Sequence, residues 1–177
     1  MRRLRGDELG RLTPDAFRRS AKHPFFLVLD NIRSAHNVGS VFRTADALGL
    51  AGIHLCGFTA VPPHREINKT ALGAADTVTW RHWASAIEAV SALRGEGVRV
   101  VAVEHTDAGI TLPDLRPAEG PMAFLFGNEV DGIGDDVLAA CDAAVEVPQW
   151  GTKHSLNVAV CAGIVAWDMV MKLGRHG

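Results

Sequence analysis

The sequence is poor in the residues that mark redox, metal or membrane chemistry. Its three cysteines, Cys56, Cys141 and Cys161, form no Cys-x-x-Cys pair and sit among apolar or small neighbours. An odd count without a framework reads as free thiols in a reducing compartment and excludes a disulfide-stapled fold. The eight histidines show no metal-ligand spacing, so no metal is expected. The longest apolar stretch, near Leu156 to Trp167, contains Asn157 and is followed by Asp168. It is too short to span a membrane. No apolar h-region follows the charged N-terminus, so no signal peptide is expected and the chain reads as soluble and cytoplasmic. No G-x-G-x-x-G, Walker loop, nucleophile elbow or His-Glu-x-x-His occurs. These absences weaken dinucleotide, nucleoside-triphosphate and hydrolase readings, without establishing any other.

What is present is enough for one packed domain. The chain has 177 residues, 47% apolar and 21% charged, which fits a single core and leaves little room for disorder. The net charge of −2 conceals an asymmetry. Residues 1–22 hold seven Lys/Arg (Arg2, Arg3, Arg5, Arg11, Arg18, Arg19, Lys22) against Asp7, Glu8 and Asp15, so this segment is +4 and the remainder −6. A basic arm on an acidic domain suits a polyanionic partner, and a solvated terminal helix explains it equally well. The chain therefore divides into an arm, 1–22, and a domain, 23–177.

Short β-rich runs alternate with helical stretches. The strands are expected at Phe25–Leu29, Gly52–Phe58, Thr77–Trp80, Arg99–Val103, Met122–Phe126 and Ala144–Val147. Helices are expected at Asp15–Arg19, Val38–Leu48, Arg65–Leu72, Trp83–Leu93, Gly134–Ala140 and Leu156–Met171. Near-continuous runs such as FFLVL, VVAV and AFLF suit strands covered on both faces. The alternation predicts an α/β fold with a mostly parallel sheet and helices on both faces.

In such a sheet, ligands sit beyond the carboxyl ends of the strands. Three polar segments fall there: Asp30–Arg43, Gly127–Gly132 and Pro148–Asn157. In the first, Asn37 precedes an apolar-periodic stretch and has an ordinary role as an N-cap. Arg43 has an ordinary role as a surface partner of Asp46 at i+3; functionally it would present a planar fork to phosphate or ribose oxygens. In the second, Glu129 stands just past a hydrophobic strand, and Gly127 would let backbone approach a flat ligand such as adenine. A plain turn accounts for both. In the third, Ser155 is a candidate N-cap, with Asn157 in the first turn of a helix apolar on most sides. Such a helix is buried in a core or against a partner chain. An Asn there needs partners, structural or functional.

Taken together and in order, the three segments resemble the SpoU/TrmH-like family of SPOUT-class RNA 2′-O-methyltransferases. The resemblance runs from about Phe25 to Leu173. The first motif is similar to N-x5-R followed by glycine, here Asn37, Arg43 and Gly49. The second is similar to F-G-x-E-x-x-G, here Phe126, Gly127, Glu129 and Gly132. The third is similar to I-P-M-x-G-x3-S-L-N-V-S-V-A, here Val147, Pro148, Gln149, Gly151, Ser155, Leu156, Asn157 and Val158. Val147 replaces Ile, Gln149 stands where Met is common and Ala159 where the second Ser is usual; none of these removes a group the chemistry needs.

The resemblance implies a C-terminal deep trefoil knot, a homodimer, and S-adenosyl-L-methionine as the cofactor held by the knot. The substrate it implies is a ribose 2′-hydroxyl of RNA, transfer RNA in the first place and ribosomal RNA as the alternative. Arg43 would be the key catalytic residue. Arginine is very hard to deprotonate, so an orienting and electrostatic role is expected rather than a basic one. Asn37 and Asn157 would position Arg43 and the ribose, with Glu129 and Ser155 supporting substrate and loop. Gly127, Val147 and Leu156 would hold the adenosine part of the cofactor. Two other classes compete. A non-catalytic RNA-binding module would not need the set Asn37, Arg43, Glu129 and Asn157. A dehydrogenase would need the glycine fingerprint and ribose-binding acid that are missing.

Overall fold

The computed structural model describes residues 1–152 and 155–174. Strands β1 (His23–Asp30), β2 (Leu50–Cys56), β3 (Trp80–Trp83), β4 (Arg99–Val103), β5 (Ile110–Thr111), β6 (Met122–Phe126) and β7 (Ala143–Glu146) form one sheet in the order β3-β2-β1-β6-β4-β7-β5. Each pairing is parallel. The helices are α1 (Pro14–Arg19), α2 (Ala35–Ala47), α3 (Arg65–Ala71), α4 (Ala86–Gly95), α5 (Asp135–Ala140) and α6 (Val158–Leu173).

The period-2 geometry of a strand sorts the apolar runs onto two faces. Leu27 and Leu29 point to one face, where they meet Val38, Val41 and Phe42 of α2 and Ala162, Val165 and Met169 of α6. Val28 between them points to the other face, against Ala89, Val90 and Leu93 of α4 and Val137 of α5. The runs FFLVL and AFLF are therefore covered on both sides, as their unbroken hydrophobicity predicted. Connections leave β1 towards β3, then return past it to β4. The carboxyl edge near β1, β6 and β4 is thus a place where winding reverses, where such sheets form clefts.

Several boundaries differ from the sequence expectation. Trp83 ends β3 instead of opening a helix, and α4 starts at Ala86, capped by the Ser85 side chain accepting from Glu88 N–H. Thr77 lies in a turn before β3 rather than in a strand, its hydroxyl donating to Asp46 Oδ2 at 2.7 Å. The two-residue β5 is too short to leave a periodic signal. Asn37 is not the N-cap of α2. Ser34 is, with its hydroxyl accepting from Asn37 N–H at 3.3 Å. Ser155 does not cap the last helix either. Asn157 does, its Oδ1 accepting from the N–H groups of Ala159 and Val160. In both cases an equally good capping residue stood nearby, and the backbone chose between them.

Candidate active site

The last turns of β4, β6 and β7 and the entry to α6 enclose a cleft of about 530 Å³. Its apolar wall includes Val103, Phe126, Ile133, Val147 and Leu156. Five carboxylates line it, those of Glu104, Glu129, Asp131, Asp135 and Glu146, and no Lys or Arg among the described residues does. Gly127 and Ser155 belong to the same wall. Of the expected residues, Gly127, Glu129, Val147, Ser155 and Leu156 thus come together.

The turn after β6 explains Gly127. A Cβ there would lie 2.3 Å from the carbonyl carbon and oxygen of Gly132. The chain's own Asn128–Gly132 turn closes over it through an isolated bridge. The glycine is therefore required by the close approach of this turn. Asn128 Oδ1 accepts from Val130 and Asp131 N–H at 2.7 and 2.9 Å, which fixes the turn and aims Glu129 outward.

Glu129 Oε1 accepts from Asn37 Nδ2 at 3.1 Å, and Asn37 Oδ1 accepts from Asn157 Nδ2 at 3.2 Å. The network joins all three polar segments. Its amide orientations are forced by chemistry. Asn157 Oδ1 is occupied as an acceptor of backbone N–H groups, so its NH₂ is left to donate. A carboxylate accepts only, so Asn37 presents NH₂ to Glu129 and its oxygen to Asn157. Asn37 reaches this place because Ser34 caps α2 and leaves it in the first turn.

Arg43 is not in the cleft. It is exposed on α2 and makes no hydrogen bond or ion pair among the described residues. The surface pair with Asp46 is absent among the described residues; Asp46 Oδ2 instead accepts from Thr77. An exposed guanidinium without an internal partner is available to an external anion.

Other groups at the cleft were not singled out by sequence. Glu104 Oε2 accepts from Ile133 N–H at 3.3 Å and ties the β4 end to the β6 turn. His105 Nδ1 and Glu146 Oε2 lie 2.9 Å apart, and Gln149 Nε2 lies 3.3 Å from His105 Nε2. Glu104 directly follows the run VVAV, so the argument that picked Glu129 after AFLF applied to it equally. Cys161 also lines the cleft. Burial and then Glu104 push its thiol up to about 11, so it stays protonated near neutrality and is no nucleophile. Among the described residues, no group of three or more His, Cys, Asp and Glu is placed to hold a metal ion, and no helix is long and apolar enough to cross a membrane.

Acidic walls around an apolar floor suit a ligand with a flat apolar part, hydroxyl donors and positive charge, and disfavour a phosphate. Comparison with known proteins agrees with that chemistry. A model of the SpoU rRNA methylase family matches residues 24–167. The chain is 34% identical over 153 residues to the 23S rRNA (guanosine-2'-O-)-methyltransferase RlmB of Shewanella oneidensis, covering 83% of this chain and 59% of that protein. It thus spans about three fifths of the length of that relative. A solved structure described as structural insights into the 2-OH methylation of C/U34 on tRNA is matched at TM-score 0.76 and 31% identity, over 86% of this chain and 100% of that one. The AdoMet-bound rRNA methyltransferase from Sinorhizobium meliloti is matched at TM-score 0.77 and 29% identity, over 89% of this chain and 60% of that one.

Proposed function

The chain belongs to the SpoU rRNA methylase family, and from that premise we propose that it transfers a methyl group from S-adenosyl-L-methionine to a ribose 2′-hydroxyl of RNA. The observation that carries the reading is the Glu129–Asn37–Asn157 network at the mouth of a cleft walled by carboxylates. When bound, the cofactor supplies an electrophilic methyl group on a positively charged sulfur. Its adenine fits the apolar wall of Val103, Ile133, Val147 and Leu156. Glu104, Glu129 and Glu146 are acceptors for ribose hydroxyls and face its positive charge.

Arg43 takes the RNA. Its planar fork holds a phosphate or ribose oxygen and stabilises the negative charge that develops as the hydroxyl reacts. It does not act as a base, because a guanidinium keeps its proton throughout the accessible pH range, so the hydroxyl proton passes to solvent water. Asn37 and Asn157 are joined by their mutual bond and orient the ribose relative to α2. The reading takes transfer RNA as substrate, supported by the neighbour that is matched over its whole chain; ribosomal RNA is the alternative, supported by the relative acting on 23S rRNA. The reading also takes the protein to act in the cytoplasm, which an RNA substrate supports.

Two structural features belong to this reading. One is a trefoil knot formed by the chain after β7. Its support is that β7 inserts between the earlier strands β4 and β5 while Val147, Ser155 and Leu156 return to the cleft. The other is a homodimer. Trp150, Val160, Ile164 and Trp167 are exposed around one shallow groove beside α6, an apolar surface of the kind that partners cover. Ile164→Asp should shift the sedimentation coefficient to that of a monomer if a second copy covers it.

Equilibrium binding should give one S-adenosyl-L-methionine per chain. Transfer of labelled methyl to cellular RNA, followed by nucleoside mass spectrometry, should give 2′-O-methylnucleosides. Base-methylated products, or no cofactor binding at all, would overturn the reading.

A further inference from the structure

Helix α2 borders a second concavity of opposite electrical character. Ser40, Arg43, Thr44 and Ala47 of α2 and Lys69 and Thr70 of α3 line a groove of about 500 Å³. Among the described residues no carboxylate lines it, although that of Glu66 is paired with Lys69, whereas five line the cleft. The groove lies beside a close helix-to-helix contact between α2 and α3. A Cβ on Gly39 would lie 2.1 Å from Thr70 Oγ1 and 2.4 Å from Ile67 O.

The donor and acceptor inventory is that of a ribose–phosphate site. Arg43 makes no bond within the described residues. Lys69 Nζ is paired with Glu66 at 2.7 Å, with about half of its side chain in solvent. Such an exposed pair is weak and yields readily to a phosphate. Ser40 and Thr70 donate their hydroxyl protons to His36 O at 3.0 and 2.9 Å. Their oxygens are left as acceptors, which suits a 2′-hydroxyl, the group that distinguishes RNA from DNA. At about 100° per helical residue, Asn37, Ser40 and Thr44 share one stripe of α2. The groove therefore begins where the Glu129–Asn37–Asn157 network ends.

We propose that the α2–α3 groove holds the ribose–phosphate backbone of the RNA strand beside the reacting nucleotide, with Lys69 contacting a phosphate. The proposal rests on the methyl-transfer reading, with which it shares Arg43. Lys69 is a positioning residue, and its effect is expected in KM for RNA.

The test measures binding of fluorescently labelled bulk transfer RNA by anisotropy across a salt series. Lys69→Ala should weaken binding several-fold and make the slope of log K against log salt shallower by about 1. Lys69→Glu should weaken it further, and Lys69→Arg should restore it. Glu66→Gln, which frees Lys69, should tighten it. Cofactor affinity and melting temperature should not move in the Lys69 variants. Wild-type affinity and slope in Lys69→Glu would overturn the proposal. So would an equal loss of RNA affinity and melting temperature in Lys69→Ala and Glu66→Gln, which marks a merely structural pair. If the wild type methylates RNA but the Lys69 variants keep its KM, the groove assignment alone falls. If the wild type neither binds cofactor nor methylates, the parent reading falls.

Discussion

Lowering the pH should destabilise this protein through His54, by an amount that can be worked out from its surroundings. His54 lies in β2 with 9% of its surface exposed. Trp83 Nε1 donates to its Nδ1 at 2.8 Å, the Trp83 ring stacks on it at 5.9 Å, and Phe26 meets it edge-on at 5.4 Å. The Arg81 guanidinium sits 3.8 Å over the Trp83 ring. Burial first, and then Arg81, hold the His54 pKa down at about 4 from an ordinary 6.5. The folded state thus favours the neutral ring, whereas the unfolded chain takes up a proton below about 6.5. The stability this contributes is complete above pH 6.5 and is lost as pH falls towards 4. Two and a half pH units correspond to about 3 kcal/mol, of which about 2.5 should be gone at about pH 4.5. Urea unfolding of wild type and His54→Gln at about pH 7.5 and about pH 4.5 isolates it, because Gln keeps an acceptor for Trp83 and does not titrate. The difference between the two proteins should change by about 2.5 kcal/mol across that interval, within a factor of two. A difference independent of pH, or an NMR titration midpoint near 6.5 for His54, would refute the argument.

Three further outcomes are expected. Arg43→Ala should abolish nearly all methyl transfer, and Arg43→Lys should be severely impaired because the planar fork is lost. Cofactor affinity and melting temperature should be kept, since Arg43 is exposed and outside the cleft; single-turnover methylation with Asp46→Ala as control checks this. Gly127→Ala should push away the Asn128–Gly132 turn, costing about 1–3 kcal/mol in thermal unfolding. It should weaken cofactor binding about tenfold, equivalent to about 1.4 kcal/mol by calorimetry. Removing residues 1–12, which carry Arg2, Arg3, Arg5 and Arg11, should lower RNA affinity and flatten its salt dependence without changing cofactor affinity. That cut spares Phe17, which packs on the core, and Lys22, which lies over its ring.

The sheet was legible because FFLVL and AFLF are hydrophobic on both faces, and a strand of that kind has few other places to go. The site was legible as three polar segments at one edge, and the structure joins them through Asn37, Glu129 and Asn157. The roles assigned to single residues were less legible. Ser34 and Asn37 are both good caps, as are Ser155 and Asn157, and only backbone geometry separates them. The spacing of Arg43 and Asp46 allows an ion pair, yet Asp46 is bonded instead to Thr77, 31 residues further on. Gly127 signalled a close approach, and the chain's own Asn128–Gly132 turn makes one. The carboxylates beyond Glu129 were missed for another reason. Glu104, just past β4, carried the same local signal as Glu129, whereas nothing local says that Glu146 of β7 sits beside β4.

The bonds made by Asn37 span 92 residues to Glu129 and 120 to Asn157. Contacts of such long sequence separation form late, after the loops between them have closed. During synthesis, Asn37 emerges long before its last partner exists, so a growing chain has a sheet in the making but no working centre. The same dependence runs in reverse. Detaching the first turn of α6 removes Asn157 and releases Asn37 while β1, β2 and β6 remain paired. Activity should therefore vanish at milder denaturant concentrations than amide protection in those central strands, making this centre a sensor of whether the last helix is docked.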